Sequence, residues 1–296
     1  MLRVLPALLL AAALVAACGT SKTQPPVQSA PGARVSVTAD WGTTPIASGR
    51  GNVGTVIDAT RSVARLTTSY GGRYVTGIDG NVGDGTRDWI FWVNGIEAPV
   101  GGADTAVRAG DRIWWDLHRW SSRVHVAAVI ADWPMPLSRG LDGPTVGVSA
   151  DPPLAAALTA LGVSTAEPAA THGARALVGG SAELIQRDPL WRRAVADPAA
   201  AGLTAWIDLQ GHAQVWNAEL GRAQSVPRAV AVIVATTDGY TATDAPVVMV
   251  VGVTEAAAQA AAQRLADQPA LVRNATALCL DADGNVVCRG GSGRSS

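Results

Sequence analysis

The residue types best suited to binding chemistry lie on two predicted strands, at residues 88–95 and 112–120. Side chains alternate between the two faces of a strand, so each strand has a core-facing set and an outward-facing set. The core-facing sets are apolar and are expected to face a helix: Trp89, Phe91 and Val93, then Ile113, Trp115 and Leu117. The outward-facing sets contain the candidate ligand-binding residues, which offer indole, amide and imidazole groups: Trp92, Asn94, Trp114, His118 and Trp120.

This outward-facing aromatic set has two interpretations. A large apolar patch on a soluble domain usually marks contact with something. In the first interpretation the set is a flat aromatic platform that holds a ligand. In the second it is a docking face for the rest of the chain, which follows Trp120 directly. The sequence leaves both open.

The histidines and carboxylates form no recognisable catalytic or metal-binding motif. No metal-ligand spacing relates the four histidines to one another or to a cysteine: His118, His125, His172 and His212. There is also no nucleophile elbow, Walker loop or dinucleotide-binding loop. Asp208, Glu219 and Asp238 could meet only through the fold, and Gly179-Gly180-Ser181 is interpreted as helix capping rather than an anion site. We therefore expect that the protein is not an enzyme, that it has no catalytic residue, and that it binds no metal and no cofactor.

The last two cysteines flank a favoured two-residue hairpin turn, Asp283-Gly284. That turn places Leu280 opposite Val287, and Cys279 opposite Cys288 at a site where the Cα atoms approach closely. The separation suits a disulfide, which needs an oxidising compartment. Two free thiols are the alternative. A calcium-binding loop in the run Asp281-x-Asp283-Gly284-Asn285 is a weaker interpretation, because the distal bidentate glutamate of a full calcium loop is missing.

The first cysteine, Cys18, follows a secretory signal pattern. Arg3 supplies a positive start, and Val4–Ala17 is an apolar stretch too short to span a bilayer as a helix. The run Val15-Ala16-Ala17-Cys18 resembles the lipobox of bacterial lipoproteins, which implies lipidation of Cys18 and removal of residues 1–17. The alternative is an ordinary secreted protein in which Cys18 is incidental. Several acyl chains would give a lasting membrane anchor.

The rest of the chain divides by composition. Residues 18–33 are rich in Pro, Gly, Ser, Gln and Thr and are predicted to be a flexible tether, and residues 291–296 a disordered tail. Between them, 48% hydrophobic residues over the whole chain suffice for packed cores. A net charge of −1 gives no basic field for nucleic acid.

Residues 34–120 are predicted to form a β-grasp-like domain. The expected order is a strand at Val35–Ala39, a helix from Thr55 to Leu66 and an extended piece at Tyr74–Gly80, followed by the two aromatic-rich strands. Thr55 is the expected helix cap. This order suits a small sheet with one helix packed across it, so the fold class is α+β.

Residues 121–290 are predicted to form a mixed α/β domain of unrecognised family. Strands are expected in the following segments: 124–131, 145–148, 174–178, 206–209 with 213–216 as a hairpin, 229–235 and 247–251. Helices are expected in the following segments: 153–161, 181–195 with a break at Asp188-Pro189, and 254–265 with Thr254 as cap. The continuous apolar runs at 229–235 and 247–251 indicate central strands covered on both faces.

The first domain resembles a known family. The run from Asp88 to Ile96, then Pro99-Val100-Gly101, Asp104 and Gly110–Trp115, is similar to the transcobalamin-like C-terminal domain, a soluble-ligand-binding β-grasp. That family pairs a WxYxVNG strand with a VGxxDYxxxxGDxVxW segment. Thr105 departs from the pattern, which often has an aromatic there.

The resemblance implies a small soluble ligand, and in transcobalamin the ligand is a cobalamin held against a helical barrel. This sequence has no such barrel, and fold alone does not fix function. We expect an extracytoplasmic, lipid-anchored cell-membrane protein that binds a small ligand for uptake, with a corrinoid as candidate. The alternative is a structural or interaction lipoprotein that docks a membrane importer, another partner subunit or a separate helical-barrel protein. No nucleic-acid partner is expected.

Overall fold

The computed structural model describes residues 32–120, 125–141, 143, 147–166 and 173–292. These described residues belong to one compact unit. The predicted signal peptide, Cys18, most of the tether and residues 293–296 lie outside the described residues. The predicted boundaries were slightly wrong at both ends: Ala33 is buried in the first strand, and Gly291 and Ser292 make β-bridges to Asn217.

The first part of the unit contains ten strands and a short helix among its described residues. They are β1 (Ala33–Ala39), β2 (Thr44–Gly51), β3 (Gly54–Thr55), α1 (Val56–Arg61), β4 (Leu66–Ser69), β5 (Tyr74–Ile78), β6 (Asn81–Val82), β7 (Arg87–Val93), β8 (Ile96–Glu97), β9 (Ala106–Val107) and β10 (Arg112–Arg119). A 3-10 helix, Tyr70–Gly72, joins β4 to β5.

The main sheet of this part has the strand order β2-β1-β10-β7-β8. The first and last predicted strands of this part in chain order, β1 and β10, are neighbours in the sheet. They pair in parallel, with Val35 opposite Ile113. The predicted core-facing sets pack together with α1 in one hydrophobic core. The prediction of a β-grasp-like arrangement in an α+β fold is therefore confirmed.

Helix α1 is shorter than predicted. Thr55 caps it as expected, and Asp58 completes a reciprocal capping box. The helix ends at Arg61 instead of Leu66 because the Ser62 hydroxyl donates to the Ala59 carbonyl oxygen at 2.7 Å. A serine that bonds the backbone locally competes with continued helix.

The second part of the unit alternates helices and strands. They are α2 (Met135–Ser138), β11 (Val148–Ala150), α3 (Pro152–Ala160), β12 (Thr165–Ala166), β13 (Arg175–Gly180), α4 (Ser181–Arg187), α5 (Pro189–Ala196), β14 (Ala205–Ile207), β15 (Ala213–Asn217), β16 (Arg222–Ser225), β17 (Ala231–Thr237), β18 (Pro246–Gly252), α6 (Glu255–Asp267), β19 (Ala277–Leu280) and β20 (Val286–Arg289). A second 3-10 helix, Pro269–Val272, follows α6.

These elements build a mixed sheet in the order β12-β11-β13-β18-β17-β19-β20. The apolar strands β17 and β18 are central, and separate hydrophobic cores cover the two faces of the sheet, as predicted. The break between α4 and α5 also occurs where expected, because the Asp188 carboxylate caps α5 through the Leu190 and Trp191 amides. Within the described residues no helix is both long and apolar enough to cross a membrane.

The predicted strand at 124–131 is wrong for its described part, 125–131. This segment lies extended beside β8, but only Ala128 makes a β-bridge, to Ile96. The Val129 amide also donates to the Gly95 carbonyl oxygen at 2.8 Å. Because β8 is two residues long, it offers too little edge for a regular ladder. In the segment 145–148, Thr145 and Val146 lie outside the described residues, and Val148 begins β11.

The C-terminal hairpin carries the predicted Cys279–Cys288 disulfide. The cysteines face each other as expected, with Cα atoms 4.9 Å apart. The predicted neighbouring pair was wrong, because Leu280 pairs with Val286 across a bulge. The Asp281 carboxylate accepts from the Asp283 and Asn285 amides at 3.0 and 2.9 Å, which lengthens the turn. That carboxylate therefore holds the turn, and no group of metal-ligand residues occurs among the described residues.

Candidate ligand groove

A groove of about 890 Å³ lies between the outer face of the β-grasp sheet and two segments of the second part of the unit. Its floor is formed by β1, β2 and the start of β10, and its far wall by residues 131–133 and 269–274. This volume is in the range of pockets that take drug-sized molecules. We call it the ligand groove.

The alternation of β1 decides what this strand presents to the groove. Val35 and Val37 pack in the core with α1, so Arg34 and Ser36 point to the opposite face. At one end of the groove the Ser36 hydroxyl donates to the Asn274 side-chain oxygen at 2.9 Å. This hydrogen bond joins the sheet to the far wall.

Three arginines form a row across the floor of the ligand groove. Arg34 of β1 lies in register with Arg50 of β2 on one side and with Arg112 of β10 on the other. Like charges on directly opposed strand positions repel each other and destabilise a sheet. A fourth arginine, Arg273, lines the far wall. Among the described residues, none of these four side chains makes an ion pair or hydrogen bond.

The far wall also contains two polar groups without a partner. The Oδ2 atom of Asp132 and the Nε1 atom of Trp133 are both buried and make no hydrogen bond among the described residues. Burial raises the pKa of Asp132 to about 6, although the positive charges of Arg112 and Arg34 act in the opposite direction. Most buried polar side-chain atoms of native structures have a hydrogen-bond partner.

The raised pKa of Asp132 gives a stability prediction. The pKa of Asp132 is 3.8 in the unfolded chain and about 6 in the folded protein. Between these two pH values the folded protein keeps the Asp132 proton and the unfolded chain loses it, so the free energy of unfolding falls as pH rises. The Asp132→Asn variant should not show this decrease, because its amide does not titrate. At pH 7 its free energy of unfolding should exceed that of wild type by up to about 3 kcal/mol. Urea denaturation at pH 4 and pH 7 measures both effects. A higher free energy of unfolding in wild type than in Asp132→Asn at pH 7 would contradict the prediction.

The predicted aromatic platform is not open to solvent. Trp92 and Trp114 are 0% and 1% exposed, and their rings stack with centroids 4.8 Å apart. Val126, Val129 and Ala131 pack against them, together with Trp41. The Trp92 Nε1 donates to the Val126 carbonyl oxygen at 2.8 Å. The structure thus matches the docking interpretation, and ligand binding by these rings stays a prediction that requires the 125–131 segment to move.

His118 and Asn94 also have structural partners. The His118 ring is 1% exposed, stacks on Trp41 with centroids 3.8 Å apart and lies 2.8 Å from an Asp116 carboxylate oxygen. The Asn94 amide nitrogen donates to Asp111 and to the Gly140 carbonyl oxygen, at 3.0 and 2.9 Å.

The motif residues Asn94 and Asp111 therefore hold two turns of the sheet together. Trp120, the fifth predicted residue, is partly buried next to the undescribed residues 121–124. The structure brings Trp92, Trp114 and His118 into one cluster and places Asn94 elsewhere.

The three carboxylates that the sequence left unplaced have separate roles. Asp208 accepts from the Gln210 and His212 amides within its own hairpin, and Asp238 pairs with the buried Arg175. Glu219 is exposed.

Comparison with known families adds one finding. Residues 54–119 match the family model described as a domain of unknown function (DUF4430). This family is transcobalamin-like, so the segment from β3 to β10 is similar to a transcobalamin-like domain. The match covers less than a quarter of the 296 residues. The chain matches no curated protein.

The matched segment is only part of the sheet. Strands β1 and β2 precede it, yet β1 pairs along most of β10. Arg34 and Arg50 lie on these two strands, and Arg273 lies far beyond the match, so three of the four arginines of the ligand groove come from outside the matched segment.

Proposed function

We propose that this protein is a lipid-anchored extracytoplasmic membrane protein that binds a small soluble ligand in the ligand groove, for uptake. The observation that carries the proposal is the groove of about 890 Å³ on the outer face of a transcobalamin-like sheet. A corrinoid such as cobalamin is the first candidate ligand, because the family resemblance implies it. The proposal includes lipidation of Cys18 and no catalytic role.

A cobalamin titration tests the corrinoid version. The described residues, which start at residue 32, form a compact unit with its own hydrophobic cores, so a soluble chain that lacks residues 1–18 keeps the whole groove. We expect saturable quenching of tryptophan fluorescence, confirmed by calorimetry because cobalamin itself absorbs light. Trp133→Phe should reduce the quenching since Trp133 lines the groove, whereas Trp206→Phe, in a different core, should not. No quenching and no heat at high micromolar cobalamin would rule the corrinoid out.

A second candidate is a docking protein for an importer, a partner subunit or a separate helical-barrel protein. It is favoured by exposed apolar side chains on the first part of the unit: Tyr70 is 83% exposed, and Tyr74 lies edge-on to it at 6.3 Å. Val82 and Val100 are also at least half exposed. A pulldown from a membrane extract of the source cells that recovers no specific partner, alongside clear small-molecule binding, would count against this candidate.

A further inference from the structure

We infer that the ligand groove takes a small anionic molecule that carries carboxylate or phosphate groups, bound by Arg34, Arg50, Arg112 and Arg273. This inference rests on the proposed function, because it names the ligand class of the same groove.

The first argument is the contrast with arginines elsewhere in the described residues. Several of those pair with a carboxylate, as Arg73 does with Asp104 and Arg187 with Asp151. The groove arginines make no such pair, although three of them stand side by side on neighbouring strands. Repulsion within this row makes it costly for the sheet, and a bound anion removes that cost.

The second argument is that the groove does not neutralise its own charge. Two carboxylates line it, and Asp111 is already paired with Arg139 at 3.0 Å. Asp132 remains, but its buried Oδ2 makes no hydrogen bond to any of the arginines. The groove therefore keeps an excess of positive charge within partly enclosing walls, where electrostatic attraction to an anion is stronger than in open water.

The third argument is the chemistry of the donors. A guanidinium group presents a planar fork that matches carboxylate and phosphate oxygens in pairs of hydrogen bonds. The indole nitrogen of Trp133, which is 2% exposed and unpartnered, adds a neutral donor in the same wall. The guanidinium groups and this indole nitrogen all donate hydrogen bonds, which suits a ligand whose recognised groups are acceptors.

The size of the groove narrows the ligand class. At about 890 Å³ it is far larger than one phosphate or carboxylate group. We therefore expect a ligand with a sizeable body and more than one anionic group, such as a tricarboxylate or a nucleotide-sized phosphate ester. An anionic lipid headgroup shares this chemistry, so the experiment must separate a soluble ligand from a membrane surface.

Calorimetric titration of the chain lacking residues 1–18 tests the inference, with citrate, pyrophosphate and ATP as probes and trehalose as a neutral control. Wild type should bind at least one anion with a Kd below about 100 µM at low salt, and more weakly at high salt, as screened charges require. Arg34→Gln with Arg112→Gln should weaken binding at least tenfold. Asp132→Asn should tighten it, because it removes the opposing charge. Arg222→Gln, an exposed arginine on β16 away from the groove, should leave it unchanged.

Each outcome decides between the inference and the proposed function. If no anion binds wild type, the inference falls, and cobalamin quenching shows separately whether the proposed function survives. Anion binding without cobalamin binding keeps the inference and removes the corrinoid. Equal weakening by the groove variants and Arg222→Gln overturns the inference as non-specific attraction. Binding to phosphatidylglycerol vesicles but to no soluble probe assigns the arginines to lipid headgroups and overturns the soluble-ligand version.

A folding control keeps the test decisive. Circular dichroism and thermal melting show whether the double variant is folded. If it is not, Arg50→Gln and Arg273→Gln replace it, since both side chains are exposed at the groove and carry no structural pair. Unchanged anion affinity in both of these variants overturns the inference.

Discussion

Replacing Asp116 with alanine is expected to lower the free energy of unfolding by about 3–5 kcal/mol, the range for removing one partner of a buried charged network. Asp116 is 0% exposed, and its carboxylate accepts from the Trp41 and Gly42 amides, each at 2.9 Å. The Thr38 hydroxyl donates to it as well, and His118 is its fourth partner. Alanine would leave this set of buried polar groups without a partner, which is the origin of the large loss.

Urea denaturation at pH 7 measures the effect of Asp116→Ala. Asp283→Ala is the matched control, because Asp283 is exposed and its carboxylate makes no hydrogen bond among the described residues. We expect the control to change stability by less than about 0.5 kcal/mol. A loss below about 1 kcal/mol in Asp116→Ala would mean that the buried hydrogen bonds of Asp116 contribute little to stability. His118 would then again be a candidate ligand-binding residue.

The sequence predicted the two faces of the β-grasp strands correctly because that prediction needs only local alternation. Trp115 and Trp114 are neighbours in the chain, and they lie in the helix-facing core and the outer cluster as expected. What covers the outer face is a different question. The residues that cover it, Val126 to Ala131, follow β10 closely in the chain. They form no regular strand, so no sequence pattern predicts where they pack.

The ligand groove could not be predicted because its residues meet only through long-range pairing. Arg34 and Arg112 are neighbours in space because β1 and β10 pair in parallel. The pairing follows from the β-grasp topology, but its register, which decides whether two arginines face each other, does not follow from either strand alone. The far wall depends on the fold of the second part of the unit, for which no family was recognised. The alternation of β1 did contain one usable signal, since it placed Arg34 and Ser36 away from the core.

Replacing Arg175 with methionine is also expected to cost about 3–5 kcal/mol at pH 7. Arg175 is 0% exposed and pairs with both Asp188 and Asp238, so β13 is joined to the start of α5 and to the turn after β17. Methionine fills much of the same space but takes the guanidinium group away from two largely buried carboxylates. The loss should therefore come mainly from uncompensated charge and only to a small extent from packing.

Urea denaturation at pH 7 measures the loss in Arg175→Met. Arg222→Met, on the exposed strand β16, is the matched control and should change the free energy of unfolding by less than about 0.5 kcal/mol. A loss below about 1 kcal/mol in Arg175→Met would contradict the prediction, because removing one partner of a buried ion pair costs about 3–5 kcal/mol.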